Sequence, residues 1–351
     1  MTESEIKIPI DVDLLNIMTK DQHKSEAIFH PGSYWERKAI NSTKNLSKYS
    51  LNGFRGGSSP IGMSYADNPI VDVRNSISPG IRKSMLHLLR GFPLLFDLID
   101  SQVAITRDYY LQMMAMKQEI LADSPRVHQL LKDWVMPYSL RGGCESSYLI
   151  DGCLISELYL TMLDRHEICS TMVNFEDARI FCEIGGGFGA NVHLLLSNYP
   201  NIKKIIYVDI PPNLYVGTQY LKSFFGSSVL DYRKLMVRDS FHFSDTDDLE
   251  IVCIAPWQME RINTEIDIFQ NDSSFVEMPN LAIEKYHQLL GRWDLKNQSA
   301  RILGSYLPFD PQTTIDPKSL TAFSPMRTFT QFTRPQLCHP QSDYLYQISV
   351  T

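Results

Sequence analysis

The stretch Glu183-Ile184-Gly185-Gly186-Gly187-Phe188-Gly189, with Asp209 placed 20 residues beyond Gly189, has residue types and spacing fit for chemistry. Side chains at positions 185, 187 and 189 would block the close approach of a ligand to the backbone, and glycine accepts the positive φ that such a turn uses. N–H groups at the start of the helix that follows offer donors and partial positive charge to an anionic group such as a carboxylate. Asp209 closes the next apolar run, where a carboxylate can accept hydrogen bonds from both hydroxyls of a ribose. The pairing is specific for a nucleoside ligand; either half alone is a weak signal.

Two ligands fit that spacing. G-x-G-x-G at 185, 187 and 189 suits S-adenosylmethionine, whereas G-x-G-x-x-A at 185, 187 and 190 is a permitted dinucleotide fingerprint. Two features favour the methyl donor. Glu183 stands two residues before the first glycine, where a dinucleotide site usually has an apolar residue, and a carboxylate there is useful near an ammonium or sulfonium. The unit also begins past the middle of the chain, behind a long segment that can serve as a substrate cap.

The elements that must position these residues follow from periodicity. RIFCEI (179–184) and KIIYVD (204–209) read as strands around a helix from Ala190 to Tyr199, whose Val192, Leu195, Leu196 and Tyr199 share one face. A further helix is expected from Pro212 through Leu221, with proline at its first position. EIVCIA (250–255), EIDIF (265–269) and RILGSYL (301–307) read as strands, with a helix from Asn280 to Leu290 before the last. Ser227 to Glu250, rich in Asp and Ser, reads as an insertion.

Alternating strands and helices imply a mostly parallel sheet covered on both faces. RTFTQF (327–332) and YLYQISV (344–350) have no helix between them, which predicts an antiparallel C-terminal edge. Upstream, 51–70 reads as loop, and helical patterns are expected from Ile81, from about Asp97 to Leu121, and from Leu149 to His166. Met113, Met114 and Met116 read as helical core. The expected division is a mainly helical region, 1–175, and a ligand-binding α/β domain, 176–351.

EIGGGFGANVHLLL (183–196), YVDIPPNLYVGTQYL (207–221) and IDIFQNDSSFVEMP (266–279) resemble the sugar O-methyltransferase family, with weaker likeness at GSYW (32–35) and NGFR (52–55). That resemblance implies a Rossmann-like class I methyltransferase sheet, S-adenosylmethionine as cofactor, and methyl transfer to a sugar hydroxyl. A phenol or polyketide acceptor, a nicotinamide-dependent oxidoreductase and a non-catalytic partner subunit stand as alternatives.

Methyl transfer needs an oxygen aligned with the methyl at roughly 3 to 3.5 Å. It also needs a base for the hydroxyl proton. The segment after EIDIF lies on the same sheet edge as the glycine loop, so Glu277 and Asp272 are the candidate bases, and His287 a weaker one. Donor-binding candidates are Glu183, Gly185, Gly186, Gly187, Gly189, Asp209, Ile210, Ala255, Trp257 and Asn271. Ser273, Ser274, Tyr34 and Arg55 are candidates for the acceptor, with Trp35 and Arg141-Gly142-Gly143 as further loop residues. For the short polar residues, helix capping is an equal reading.

A net charge of −7 lacks the basic footprint of a nucleic-acid binder. Neither a leader peptide nor an apolar run of membrane-spanning length is evident, so a cytoplasmic protein without membrane insertion is expected. The six cysteines are scattered with no C-x-x-C pair, which fits free thiols. No metal is expected, and a homo-oligomer is left open.

Overall fold

A computed structural model describes residues 7–46, 48–56, 111–293, 299–307, 315–323 and 327–350. The helix expected from Ile81, most of the 51–70 loop and the first part of the Asp97–Leu121 helix lie outside the described residues; residues 111–122 are helical.

Near the N-terminus, α1 (Val12–Gln22) is capped by Asp11, whose carboxylate accepts the Leu14 N–H, and α2 spans Ser33–Leu46. A short helix α3 (Pro125–Asp133) has Ser124 as cap and Pro125 in its first turn. The next element corrects the expectation of a helix over 149–166. Strands β1 (Ser147–Ile150) and β2 (Cys153–Ser156) form an antiparallel hairpin, and helix α4 begins only at Glu157, running to Ser170. Asp151 and Gly152 turn the hairpin at φ 50° and 78°, the left-handed pair that a two-residue Asp-Gly turn provides. Gln118, on the 111–122 helix, lies along the hairpin: its amide donates to the Leu149 carbonyl and accepts the Leu149 N–H, both at 2.7 Å.

The main sheet is built from β3 (Ile180–Ile184), β4 (Lys204–Val208), β5 (Val229–Leu230), β6 (Glu250–Ile254), β7 (Ile268–Asp272), β8 (Ala300–Tyr306), β9 (Thr330–Pro335) and β10 (Asp343–Val350). Their order is β5-β6-β4-β3-β7-β8-β10-β9. All pairs are parallel except those of β10 with β8 and β9. This is the Rossmann-like α/β sheet with an antiparallel C-terminal edge. Helices α5 (Ala190–Asn198), α6 (Asn213–Phe225), α7 (Arg233–Met236) and α8 (Asn280–Trp293) follow their strands. Pro212 is the cap of α6 rather than its first residue. The expected insertion supplies the short edge strand β5 and α7.

Two strand assignments shift. β7 begins at Ile268, not Glu265, because the Asp267 carboxylate accepts the N–H groups of Arg179 and Ile180 at the entry to β3. It continues through Asn271 and Asp272, which pair with Leu303 and Gly304. β9 starts at Thr330, since Arg327 turns aside to donate to the Ser299 carbonyl.

One hydrophobic cluster runs across the expected division at residue 175. Leu14, Leu15, Met18, Leu51, Phe54 and Tyr159 bury with Phe188, Val192, Leu214 and Tyr220. At about 25 cal/mol per Å² of apolar surface removed from water, such burial dominates what holds the N-terminal segments down. Arg233 ties α1 to the sheet edge through Asp11 at 2.7 Å, and Asp11 N–H donates to Tyr215 Oη.

Candidate functional site

β4 lies on one side of β3 and β7 on the other, so strand order reverses at β3, and a crevice opens beyond the carboxyl ends of these strands. A cavity of about 800 Å³, open mouth included, occupies that crevice. Gly185 and Gly187 form one wall, Asp209, Ile210 and Asn213 a second, and Asp272, Ser273, Ser274 and Glu277 a third. Phe29, His30 and Trp35 from the N-terminal segment close it, with Tyr286 of α8.

The glycine loop is shaped by its own backbone and by what packs beneath it. Gly185, Gly187 and Gly189 have φ of 77°, 63° and 86°, where a side chain is strained. At Gly185 an added Cβ would collide with Ser274, at Gly186 with Tyr207 and Glu183, and at Gly189 it would come within 2.9 Å of Leu221. Helix packing against α6, as well as ligand approach, thus fixes Gly189. Tyr207 Oη donates to the Gly187 carbonyl at 2.6 Å and clamps the loop from below.

Asp209 faces this loop. One carboxylate oxygen accepts the Gly187 N–H at 2.8 Å and the other its neighbour's, Ile210, at 2.7 Å. Burial pushes its carboxyl up to about 7, opposed by those two N–H groups and by the Asn213 side chain. Asn213, unremarked by chemical reading although it sits in the D-I-P-P-N run, is buried on the cavity wall with Oδ1 unpartnered.

Glu183 lies under the loop and does not line the cavity. It is 2% exposed, Oε1 accepts from Asn191 Nδ2 at 2.9 Å, and Oε2 has no partner. Burial raises its carboxyl to about 8. Asn271 is also internal: Nδ2 donates to the Ile184 carbonyl and to Ser274 Oγ, and Oδ1 accepts the Phe275 N–H, which fastens the turn after β7 to the end of β3. Ser273 takes φ 67° there and turns the chain back over the glycines.

The two carboxylates of the third wall differ. Asp272 accepts both oxygens' worth of contact from Arg165 Nη1 at 3.0 and 3.1 Å, and also accepts from Tyr344 Oη. Glu277 accepts from Trp35 Nε1 at 2.6 Å and from Tyr306 Oη at 2.9 Å. Both of these are neutral donors.

Several candidates are not brought to the cavity. His287 is buried against Phe275 with neither ring nitrogen partnered, and burial lowers it to about 4. The Arg55 guanidinium is buried over Phe188 and donates to the carbonyls of Ser139 and Arg141 and to Ser156 Oγ, a structural tie rather than an acceptor contact. Ala255 is fully buried, and Trp257 Nε1 donates to Tyr232 Oη in a separate depression. Arg141 stacks over Phe224 at 3.7 Å. The Tyr34 side chain lies outside the described residues. Among the described residues, no group of three or more His, Cys, Asp or Glu could hold a metal ion, and no helix is long and apolar enough to cross a membrane.

No family model matches the chain. No curated protein matches it. Among solved structures it is similar to the mitomycin 7-O-methyltransferase MmcR, at 12% identity over 67% of this chain and 60% of that one, with a TM-score of 0.36. The pyocyanin biosynthetic protein PhzM gives 10%, 66%, 60% and 0.36. The cyclopropane synthase MmaA2 from Mycobacterium tuberculosis gives 10%, 68%, 98% and 0.39. The chain thus spans about 60% of the length of the first two. The fold assignment rests on strand order and direction, not on these scores.

Proposed function

We propose that the chain is an S-adenosylmethionine-dependent O-methyltransferase acting on a hydroxyl of a sugar or glycosylated small molecule. The observation that carries this reading is Asp209: it ends its strand at the cavity, faces the glycine loop and is not drawn into a salt bridge. Each of its oxygens takes one backbone N–H, and a carboxylate has about four lone-pair sites, so ribose hydroxyls can still be accepted.

The residues fit that group. The turn at Gly185–Gly187 admits close approach, Ile210 supplies an apolar surface beside Asp209, and the orphaned Asn213 Oδ1 is a ready acceptor for a ligand N–H or O–H. Asp209 lines the space without a cation of its own among the described residues, which favours a ligand with positive charge, whereas Asp272 is paired with Arg165. When bound, S-adenosylmethionine supplies a methyl group already activated on a sulfonium.

The chain's own task is then alignment and proton removal. Glu277 takes the acceptor's hydroxyl proton on a carboxylate oxygen, while Trp35 and Tyr306 hold that carboxylate in place. Ser273 and Ser274 meet acceptor hydroxyls, and Phe29, Trp35 and Tyr286 exclude water. In this reading the region 1–175 furnishes the closing wall and 176–351 holds the donor. The sugar assignment is supported by the D-I-P-P-N-L and N-D-S-S-F-V-E-M resemblance, together with a wall that combines hydroxyls, carboxylates and an indole.

Ligand-dependent melting tests the reading. S-adenosylhomocysteine is expected to raise the melting temperature and NAD to leave it unchanged, and Asp209→Ala to erase the effect. The opposite ligand preference would assign the nicotinamide alternative. A panel of methyl glycosides and phenols then identifies the acceptor class.

A further inference from the structure

Four carboxylates surround the glycine loop. Glu183 is beneath it, fully desolvated, with an oxygen that no donor reaches and that an added Cβ at Gly186 would meet at 2.6 Å. Asp209, Asp272 and Glu277 face the cavity above. They feel one another across the loop: the charges of Asp209 and Asp272 act on Glu183, and that of Glu277 acts on Asp209. Among the described residues, Arg165 is the cation bonded to this group, and it is engaged from outside with Asp272 and Gln336. His30 and Tyr286 also line the cavity, Tyr306 donates to Glu277, and Tyr344 donates to Asp272.

Ionising a buried carboxylate that lacks a donor is opposed by lost hydration, and each neighbouring negative charge opposes it further. We propose that Glu183 is a charge-discriminating residue beneath the donor site, giving up its proton when the cationic donor binds and recovering it once the ligand is neutral. The inference rests on reading the cavity as an S-adenosylmethionine site.

The transfer supplies the change of charge. The methyl carbon's bond to sulfur breaks and a bond to the acceptor oxygen forms, sulfur keeps the electron pair, and the hydroxyl proton leaves through Glu277. A sulfonium becomes a neutral sulfide, and the cation that favoured ionised Glu183 is gone. With burial holding Glu183 at about 8, it is largely protonated near neutral pH before the cation arrives. Bringing it in lowers Glu183, so its proton departs and affinity for the charged ligand rises with pH. The neutral product gains no such advantage, and its release is favoured as the proton returns.

Isothermal titration calorimetry at pH 7.5, run in phosphate and in Tris, counts these protons without turnover. S-adenosylmethionine is expected to release more protons per site than S-adenosylhomocysteine, the excess approaching one, since Asp209 meets the ribose hydroxyls of both ligands alike. From pH 6 to 8 the affinity for the former should climb more steeply than that for the latter, by up to about tenfold per pH unit. Glu183→Gln should diminish the release. The same proton count for both ligands in the unaltered protein would overturn the inference, whatever that variant does. If neither ligand binds, the donor reading itself falls, and the inference with it.

Discussion

The two halves of the cavity are built in different ways. The half proposed to hold the donor is a single run from Glu183 to Asp209, in which backbone φ angles, a strand end and packed neighbours set every position. The half proposed for the acceptor is assembled from far apart: Glu277 is held by residues 35 and 306, and Asp272 by residues 165 and 344. A site fixed by local backbone tolerates change in its surroundings, whereas one fixed by distant side chains can be misaligned from many places.

Substitutions in each half should separate them. Glu277→Gln removes the proton acceptor and should lower methyl transfer by about 100-fold or more, with S-adenosylhomocysteine still bound; initial rates and calorimetry read the two effects. Asp209→Ala should do the reverse kind of damage, weakening S-adenosylhomocysteine by about 100-fold through lost charge-assisted hydrogen bonds. Arg165→Met leaves Asp272 without its cation in a largely buried place and removes a guanidinium stacked 3.7 Å over Tyr344. Urea unfolding should show a loss of about 2 kcal/mol, smaller than for a fully buried pair because both side chains keep some exposure.

The smallest effect is the sharpest discriminator. Trp35→Phe keeps an aromatic wall but deletes the donor to Glu277. A hydrogen bond to a carboxylate favours its charged form, so without it the acid limb of the rate profile should move to higher pH, with the rate along that limb falling by about fivefold. An unmoved limb would make the contact structural and the two halves more alike than their construction suggests.

The glycine-loop wall of the cavity was legible in the sequence because its determinants are contiguous: glycines at fixed offsets, an acid at the next strand end, apolar runs of strand length. It also located Glu277 and Asp272, through their place after a strand on the same edge. What it missed was set by tertiary contact. Nothing in a polar, weakly periodic N-terminus marks Phe29 and His30 as cavity wall, and Arg55, polar and near glycines, looked like a ligand contact but buries its guanidinium on backbone carbonyls. The hairpin at 147–156 was legible in Asp151-Gly152 between apolar pairs, but the helical spacing beyond it masked the signal. β7 slid three residues because Asp267 was needed as a cap for its neighbour.

Gln118 gives the hairpin a property of its own. By offering Leu149 one donor and one acceptor, a single carboxamide imitates the rung that another chain would add, on a ribbon whose Leu149 and Leu154 are both more than half exposed. An open strand of this kind is a template for self-association. The side chain acts as a stopper, and Gln118→Ala should leave the glycine-loop crevice intact while making the purified protein prone to concentration-dependent aggregation, visible by light scattering.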